Sequence, residues 1–170
     1  MGAHRRWQAA LRQLVVEAVA VTTLLTELEE FVGRNCAHTI SPFIARQSMI
    51  PHSRCPWITK RRGGSSLNLL SNSVKFTPHG GRIDVRCEGA GDRVSLHVTD
   101  TGIGIPAERL ESVFEPFVQV HRTLKDPTGG VGLSLAISRD LARGMGGELS
   151  VQSAGADGST FTLTLPRALQ

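Results

Sequence analysis

The 170-residue chain contains no tyrosine, and two tryptophans and six phenylalanines bring its aromatic content to only 5%. Single-stranded nucleic acid is bound by stacking bases on aromatic side chains, so nucleic acid is not expected as a partner. Cysteine is scarce and odd in number. Cys36, Cys55 and Cys87 are widely spaced and form no CxxC pair, which indicates neither a disulfide framework nor a structural zinc site and fits a reducing setting. Long apolar runs are missing too. The longest, residues 14–25, is interrupted by Glu17 and falls short of the roughly 18 to 20 residues of a membrane helix. No secretory cleavage site follows it, and Arg6 stands where a myristoylation motif requires Ser or Thr. These absences predict a soluble, cytoplasmic chain without membrane contact.

What is present suits one globular domain: 40% hydrophobic residues, 20% charged, 18 Gly and 8 Pro. The net charge of +4 is uneven, because residues 1–66 hold nine Lys/Arg against four Asp/Glu while residues 67–170 hold ten against eleven. Arg5, Arg6, Lys60, Arg61 and Arg62 are scattered without a motif and read as solvated surface.

Leu11, Leu14, Val15, Ala18, Val19, Val21, Leu25 and Leu28 recur at helical spacing, predicting an amphipathic helix over 9–31 that ends near Gly33. Residues 34–66 are broken by Pro42, Pro51, Pro56, Gly63 and Gly64 and predict loop with one short strand near Phe43 to Ala45. The chain thus divides into an atypical part, 1–66, and a readable domain, 67–170. There, Ser66 to Phe76 predicts a helix. Arg82 to Glu88 and Arg93 to Thr99 alternate, with Ile83, Val85, Cys87, Val94, Leu96 and Val98 inward, and predict an antiparallel hairpin across Gly89 to Asp92. A short helix over Pro106 to Phe114, a longer one over Val131 to Met145, and strands over Glu148 to Ser153 and Thr160 to Leu165 complete the pattern. The fold class is α/β: a two-layer sandwich of a mixed, mostly antiparallel sheet with helices on one face.

Each helical residue turns by about 100°, so Asn68, Asn72 and Lys75 share one stripe of the first of these helices, and Leu67, Leu70 and Val74 the opposite one. An Asn carbonyl oxygen is a hard neutral ligand suited to magnesium, and Lys can meet a phosphate as a point charge. Spacing alone also fits the wet face of any amphipathic helix. Two loops add chemistry. Asp100-Thr101-Gly102-Ile103-Gly104-Ile105-Pro106 sets a carboxylate at a strand end, able to accept a hydrogen bond from an exocyclic amine, followed by glycines that let backbone approach a flat ligand. Thr128-Gly129-Gly130-Val131-Gly132-Leu133-Ser134 opens the long helix, where free N–H groups favour phosphates. Neither a dinucleotide fingerprint nor a P-loop is present.

Taken in order, Leu69 to Thr77, Asp100 to Pro106, Phe114-Glu115-Pro116-Phe117-Val118-Gln119-Val120 and Gly130 to Ile137 resemble the N, G1, F and G2 boxes of sensor histidine kinases. The resemblance spans roughly Leu67 to Pro166 and implies the family's Bergerat-type fold. It further implies ATP bound with magnesium under a lid, and phosphoryl transfer to a histidine on a helical dimerisation domain, with a response regulator downstream, both in trans. Carried onto this chain, Asn72 would hold magnesium with Asn68 beside it, Lys75 would meet the phosphates, and Asp100 would accept from the adenine amine. Gly102, Gly104 and Ile105 would shape the pocket, Gly130, Gly132, Leu133 and Ser134 would line the phosphate side, and Thr160 would complete the nucleotide site. Phe114 and Phe117 would pack the hinge of a lid over Val118 to Thr128, from which Arg122 or Lys125 could reach the γ-phosphate.

Related hydrolytic ATPases carry a Glu one turn before the magnesium Asn, as base for the attacking water. Asn68 stands there and cannot take that proton, so hydrolysis by the chain alone should be slow. Ser134 replaces the family's second Gly and is expected to weaken binding modestly or not at all. No histidine fits the phosphoacceptor. His38 precedes Asn72 by 34 positions, too few for the family's helical hairpin, and His4, His52, His79, His97 and His121 read as surface residues. Lys60 to Ser66 departs from the family's acidic-plus-Arg lead-in, as a truncation or frame slip would leave it. Two further readings are a nucleotide-binding module that no longer transfers phosphate and an anti-sigma-type serine kinase of the same superfamily.

Overall fold

The computed structural model describes residues 17–20, 26, 30, 43–47, 54–57, 65–119, 132–155 and 157–167. Three short strands come first: β1 (Glu17–Ala20), β2 (Phe43–Gln47) and β3 (Arg54–Trp57). β1 pairs antiparallel with β3 as a two-stranded ladder. The helix predicted over 9–31 is therefore corrected: residues 17–20 are extended, Thr26 and Glu30 are helical, and the rest of that stretch lies outside the described residues. The physical reason is the ladder with Arg54–Trp57, in which β-branched Val19, which loses rotamer freedom in a helix, suits a pleated strand. β2 falls where the sequence places its one short strand and runs parallel to β4 (Ile83–Ala90), so the described sheet takes its edge from before residue 66.

α1 (Ser65–Phe76) precedes the hairpin of β4 and β5 (Arg93–Asp100), and α2 (Ser134–Gly144) leads into β6 (Glu148–Ser153) and β7 (Ser159–Pro166). The sheet order is β2-β4-β5-β7-β6, with only β2 and β4 parallel. The mixed, mostly antiparallel sheet is as read from the pattern. In place of a helix over Pro106 to Phe114, two single 3-10 turns stand at Ala107–Arg109 and Ser112–Phe114. Nine residues that open with Pro and carry β-branched Val113 supply too little propagation to offset helix nucleation.

Alternation along the strands builds the core. Ile83, Val85, Cys87, Val94, Leu96, Val98, Leu149, Phe161, Leu163 and Leu165 are buried together with Leu69 and Leu70 of α1 and Ala142 of α2. The other sheet face is polar, and β5 and β7 join across it through Ser95 to Thr164 at 3.0 Å, His97 Nδ1 to Thr162 at 3.1 Å and Thr99 to Thr160 at 3.1 Å. Cross-strand pairs of this kind fix register, because a one-residue slip would expose the apolar set. Among the described residues no helix is long and apolar enough to cross a membrane.

Candidate functional site

Asp100 closes β5 with its side chain on the core side, 5% exposed. A carboxylate there needs partners. Its Oδ1 accepts from the Gly102 amide at 2.9 Å and its Oδ2 from the Ser73 hydroxyl at 3.3 Å. Burial pushes the carboxyl above its ordinary value, and the bonds from Gly102, Ser73 and the Ser159 backbone oppose that rise. The result is a buried acceptor held in one orientation at the mouth of a glycine turn.

That turn explains Gly102. A Cβ at this position would lie 2.5 Å from the Phe76 carbonyl oxygen and 2.7 Å from Asp100 Oδ1. Only glycine lets the loop wrap the end of α1, where the Ile103 amide donates to the Phe76 carbonyl at 3.2 Å. Gly104 and Ile105 are buried beyond it, with the Ile105 amide donating to Ser153 Oγ at 2.8 Å. Gly158, just before β7, presses on Asp100 at φ +92, and a Cβ there would run into the Asp100 carbonyl.

α1 connects this turn to α2. Leu69, Leu70, Ser73 and Thr77 are buried on one face, whereas Asn68 and Asn72 are half-buried against α2. Asn68 Nδ2 donates to Ser138 Oγ at 3.3 Å and Asn72 Nδ2 to Ser134 Oγ at 3.4 Å. Lys75 is exposed, its ammonium 5.4 Å from the centre of the Phe76 ring. Leu133 caps α2, and its carbonyl accepts from Ile137 at 3.0 Å. Gly132 reaches back to the F-box segment, its carbonyl accepting from the Phe117 amide at 2.9 Å. Among the described residues no cluster of three or more His, Cys, Asp or Glu could hold a metal.

Two expectations are corrected. Thr160 does not stand beside Asp100. It pairs with Thr99 on the polar face, and the residue facing Asp100 across the ladder is Ser159. The side-chain period of two puts adjacent strand residues on opposite faces, so an assignment one residue out lands on the wrong side. Phe117 does not pack a hinge, being 71% exposed at φ +68, while Phe114 is buried under the Arg139 guanidinium 4.7 Å from its ring centre. Gly130, Arg122, Lys125 and the lid beyond Gln119 lie outside the described residues.

The site also uses Ser73, Ser138 and Ser159, which the motif reading passed over. The signal for Ser73 was its place with Leu69, Leu70 and Thr77 on the apolar side of α1, since a polar residue there must find a partner.

Residues 66–169 match the family model described as histidine kinase-, DNA gyrase B-, and HSP90-like ATPase. The chain is 47% identical over 105 residues to the autoinducer 2 sensor kinase/phosphatase LuxQ of Vibrio vulnificus, covering 58% of this chain and 12% of that protein. It is 41% identical over 100 residues to the circadian input-output histidine kinase CikA of Synechococcus elongatus, covering 59% of this chain and 13% of that protein. The chain thus spans about an eighth of the length of these curated relatives. Among solved structures, the mycobacterial sensor histidine kinase MprB superposes with a TM-score of 0.70 at 28% identity, over 91% of this chain and all of that one. Four ordered boxes, the Bergerat-type sheet and a family model covering more than half of the chain agree: this chain belongs to the histidine kinase-, gyrase- and HSP90-like ATPase family, and residues 66–169 are a catalytic ATP-binding domain of the sensor histidine kinase type.

Proposed function

We propose that the chain binds ATP with magnesium and passes the γ-phosphoryl group to a histidine on a phosphoacceptor domain outside it, for onward transfer to a response regulator. The single observation that carries this reading is the Asp100 and Gly102 arrangement. A buried carboxylate is held by bonds from Gly102 and Ser73 beside a turn whose glycine leaves no room for a Cβ. A carboxylate accepts where an adenine amine donates, and a flat base fits against a wall without side chains. A relative in the same fold, ShkA, is described as a complex with AMPPNP and superposes with a TM-score of 0.77 at 27% identity, over 98% of this chain and 34% of that one.

The donor set at α1 fits magnesium, because Asn68 and Asn72 turn their nitrogens to α2 and leave hard neutral oxygens on the other branch. Magnesium bound with nucleotide neutralises phosphate charge during transfer. Within the chain, Asn72 holds the cation, Lys75 meets the phosphates and Asp100 fixes the base. Asn68 cannot serve as base for water, which favours transfer to a partner over hydrolysis.

The test has two stages. Calorimetry of wild type, Asn72→Ala and Asp100→Ala with magnesium ATP should give binding by wild type and at least about tenfold weaker binding by each variant. Labelled ATP with a purified phosphoacceptor domain should then place acid-labile label on its histidine. Label retained as nucleotide would make the chain a binding module, and acid-stable phosphoserine would make it a serine kinase.

A further inference from the structure

An asparagine amide carries donors on one branch and an acceptor on the other, so its orientation decides whether a cation meets oxygen or N–H. At Asn68 the orientation has a cause. Ser138 on α2 is fully buried, and its hydroxyl donates to the Ser134 carbonyl at 2.8 Å. A hydroxyl has one proton. With it committed, Ser138 Oγ can only accept, and Asn68 Nδ2 at 3.3 Å is the group that approaches. Because Oδ1 and Nδ2 branch from one planar carbon, Asn68 Oδ1 is turned away from α2.

One turn along α1, Asn72 Nδ2 stands 3.4 Å from Ser134 Oγ, and there the hydroxyl accepts from the amide nitrogen. Ser134 is also the residue that departs from the family's glycine. The sequence predicts modest weakening or none there, but the hydroxyl also gives the amide nitrogen a partner that a glycine would not.

Resting on the magnesium nucleotide reading, we infer that Ser138 and Ser134 are positioning residues that hold the Asn68 and Asn72 amides nitrogen toward α2 and oxygen outward, so that the site offers carbonyl oxygens to the divalent cation.

The discriminating background is Asn72→Asp, whose carboxylate presents oxygen on both branches and needs no orienting partner. AMPPNP affinity is measured with magnesium and with EDTA, and the ratio of the two dissociation constants is the readout. Ser134→Ala should reduce the magnesium enhancement about three- to tenfold, the worth of one neutral hydrogen bond. Ser134→Thr should restore it, and in the Asn72→Asp background Ser134→Ala should change it by less than about twofold. A parallel cycle on Ser138→Ala with Asn68→Asp reads the second amide. Ser134 is half-buried at the start of α2, so its arm stands even where a Ser138 variant folds poorly.

Equal losses in both backgrounds, or an enhancement that survives Ser134→Ala, overturn the positioning role and leave the nucleotide reading intact. A wild type with no magnesium enhancement overturns both.

Discussion

The Oδ1 atom of Asp100 accepts the backbone amide of Gly102 at 2.9 Å, which turns the carboxylate that ends β5 into part of the glycine loop that follows. A buried, charge-assisted acceptor of this kind contributes about 1.5 to 3 kcal/mol to an interaction it completes. Asp100→Ala is therefore expected to weaken ATP binding by about ten- to a hundredfold, measured by calorimetry on protein whose circular dichroism is unchanged. Affinity within twofold of wild type would remove Asp100 from the site.

Gly102→Ala tests the wall itself. The added methyl would meet the Phe76 carbonyl and the Asp100 carboxylate, both below normal contact distance and the first of them backbone. Overpacking of this sort costs about 1 to 3 kcal/mol. Urea unfolding should register that loss, and nucleotide binding should fall with it because Asp100 is the neighbour able to move. A stable variant with wild-type binding would show that the turn has more room than these distances allow.

The two shifted carboxylates predict opposite responses to pH. Asp100 is raised chiefly by burial, so its contribution to stability is fully present below the unfolded pKa and is lost as pH rises through the folded one. The stability of Asp100→Asn relative to wild type should therefore improve from pH 4 to pH 7. For Glu148, burial alone would raise the carboxyl, but the guanidinium bonds of Arg143 and Arg139 at 3.2 and 3.1 Å hold it below its ordinary value. Its contribution is present above the unfolded pKa and lost as pH falls through the folded one. Because Glu148 is half-exposed, Glu148→Gln should cost less than about 1 kcal/mol at pH 7, and less again in acid. Urea titrations of the three proteins at several pH values check both signs.

Cys87 should behave as an inert core thiol. Burial, with the charge of Glu88 beside it, pushes the thiol up to about 11, so at pH 8 only about one molecule in a thousand carries the thiolate. Iodoacetamide at pH 8 should leave the Cys87 peptide unmodified in folded protein and alkylate it in urea, as read by mass spectrometry. Rapid modification without denaturant would place β4 outside the core.

Elements with a strong period were legible from residue types alone. The β4 and β5 hairpin, β6, β7 and α1 stand within one or two residues of the predicted bounds, because alternating and helical apolar spacing each bury only one face. The stretch around Glu17–Ala20 was misread for the converse reason: its apolar residues fit a helical stripe, while β-branched Val19 and the pairing partner at Arg54–Trp57 favour a strand, and that partner is distant in sequence, Glu17 facing Trp57 and Ala20 facing Arg54.

At the site, the sequence by itself determined which groups are available: two amides one turn apart on α1, a carboxylate at a strand end, and glycines where backbone must come close. Residue identity and local period are enough for that, since both are properties of neighbouring positions. Only the tertiary structure decided how those groups are held. The bond from Ser73 to Asp100, the facing of Ser159 rather than Thr160, and the turning of Asn68 and Asn72 by Ser138 and Ser134 all join elements far apart in the chain. Hydrogen bonds are directional and short, so a shift of one residue along a strand, or one hydroxyl proton committed elsewhere, changes which atom faces the ligand.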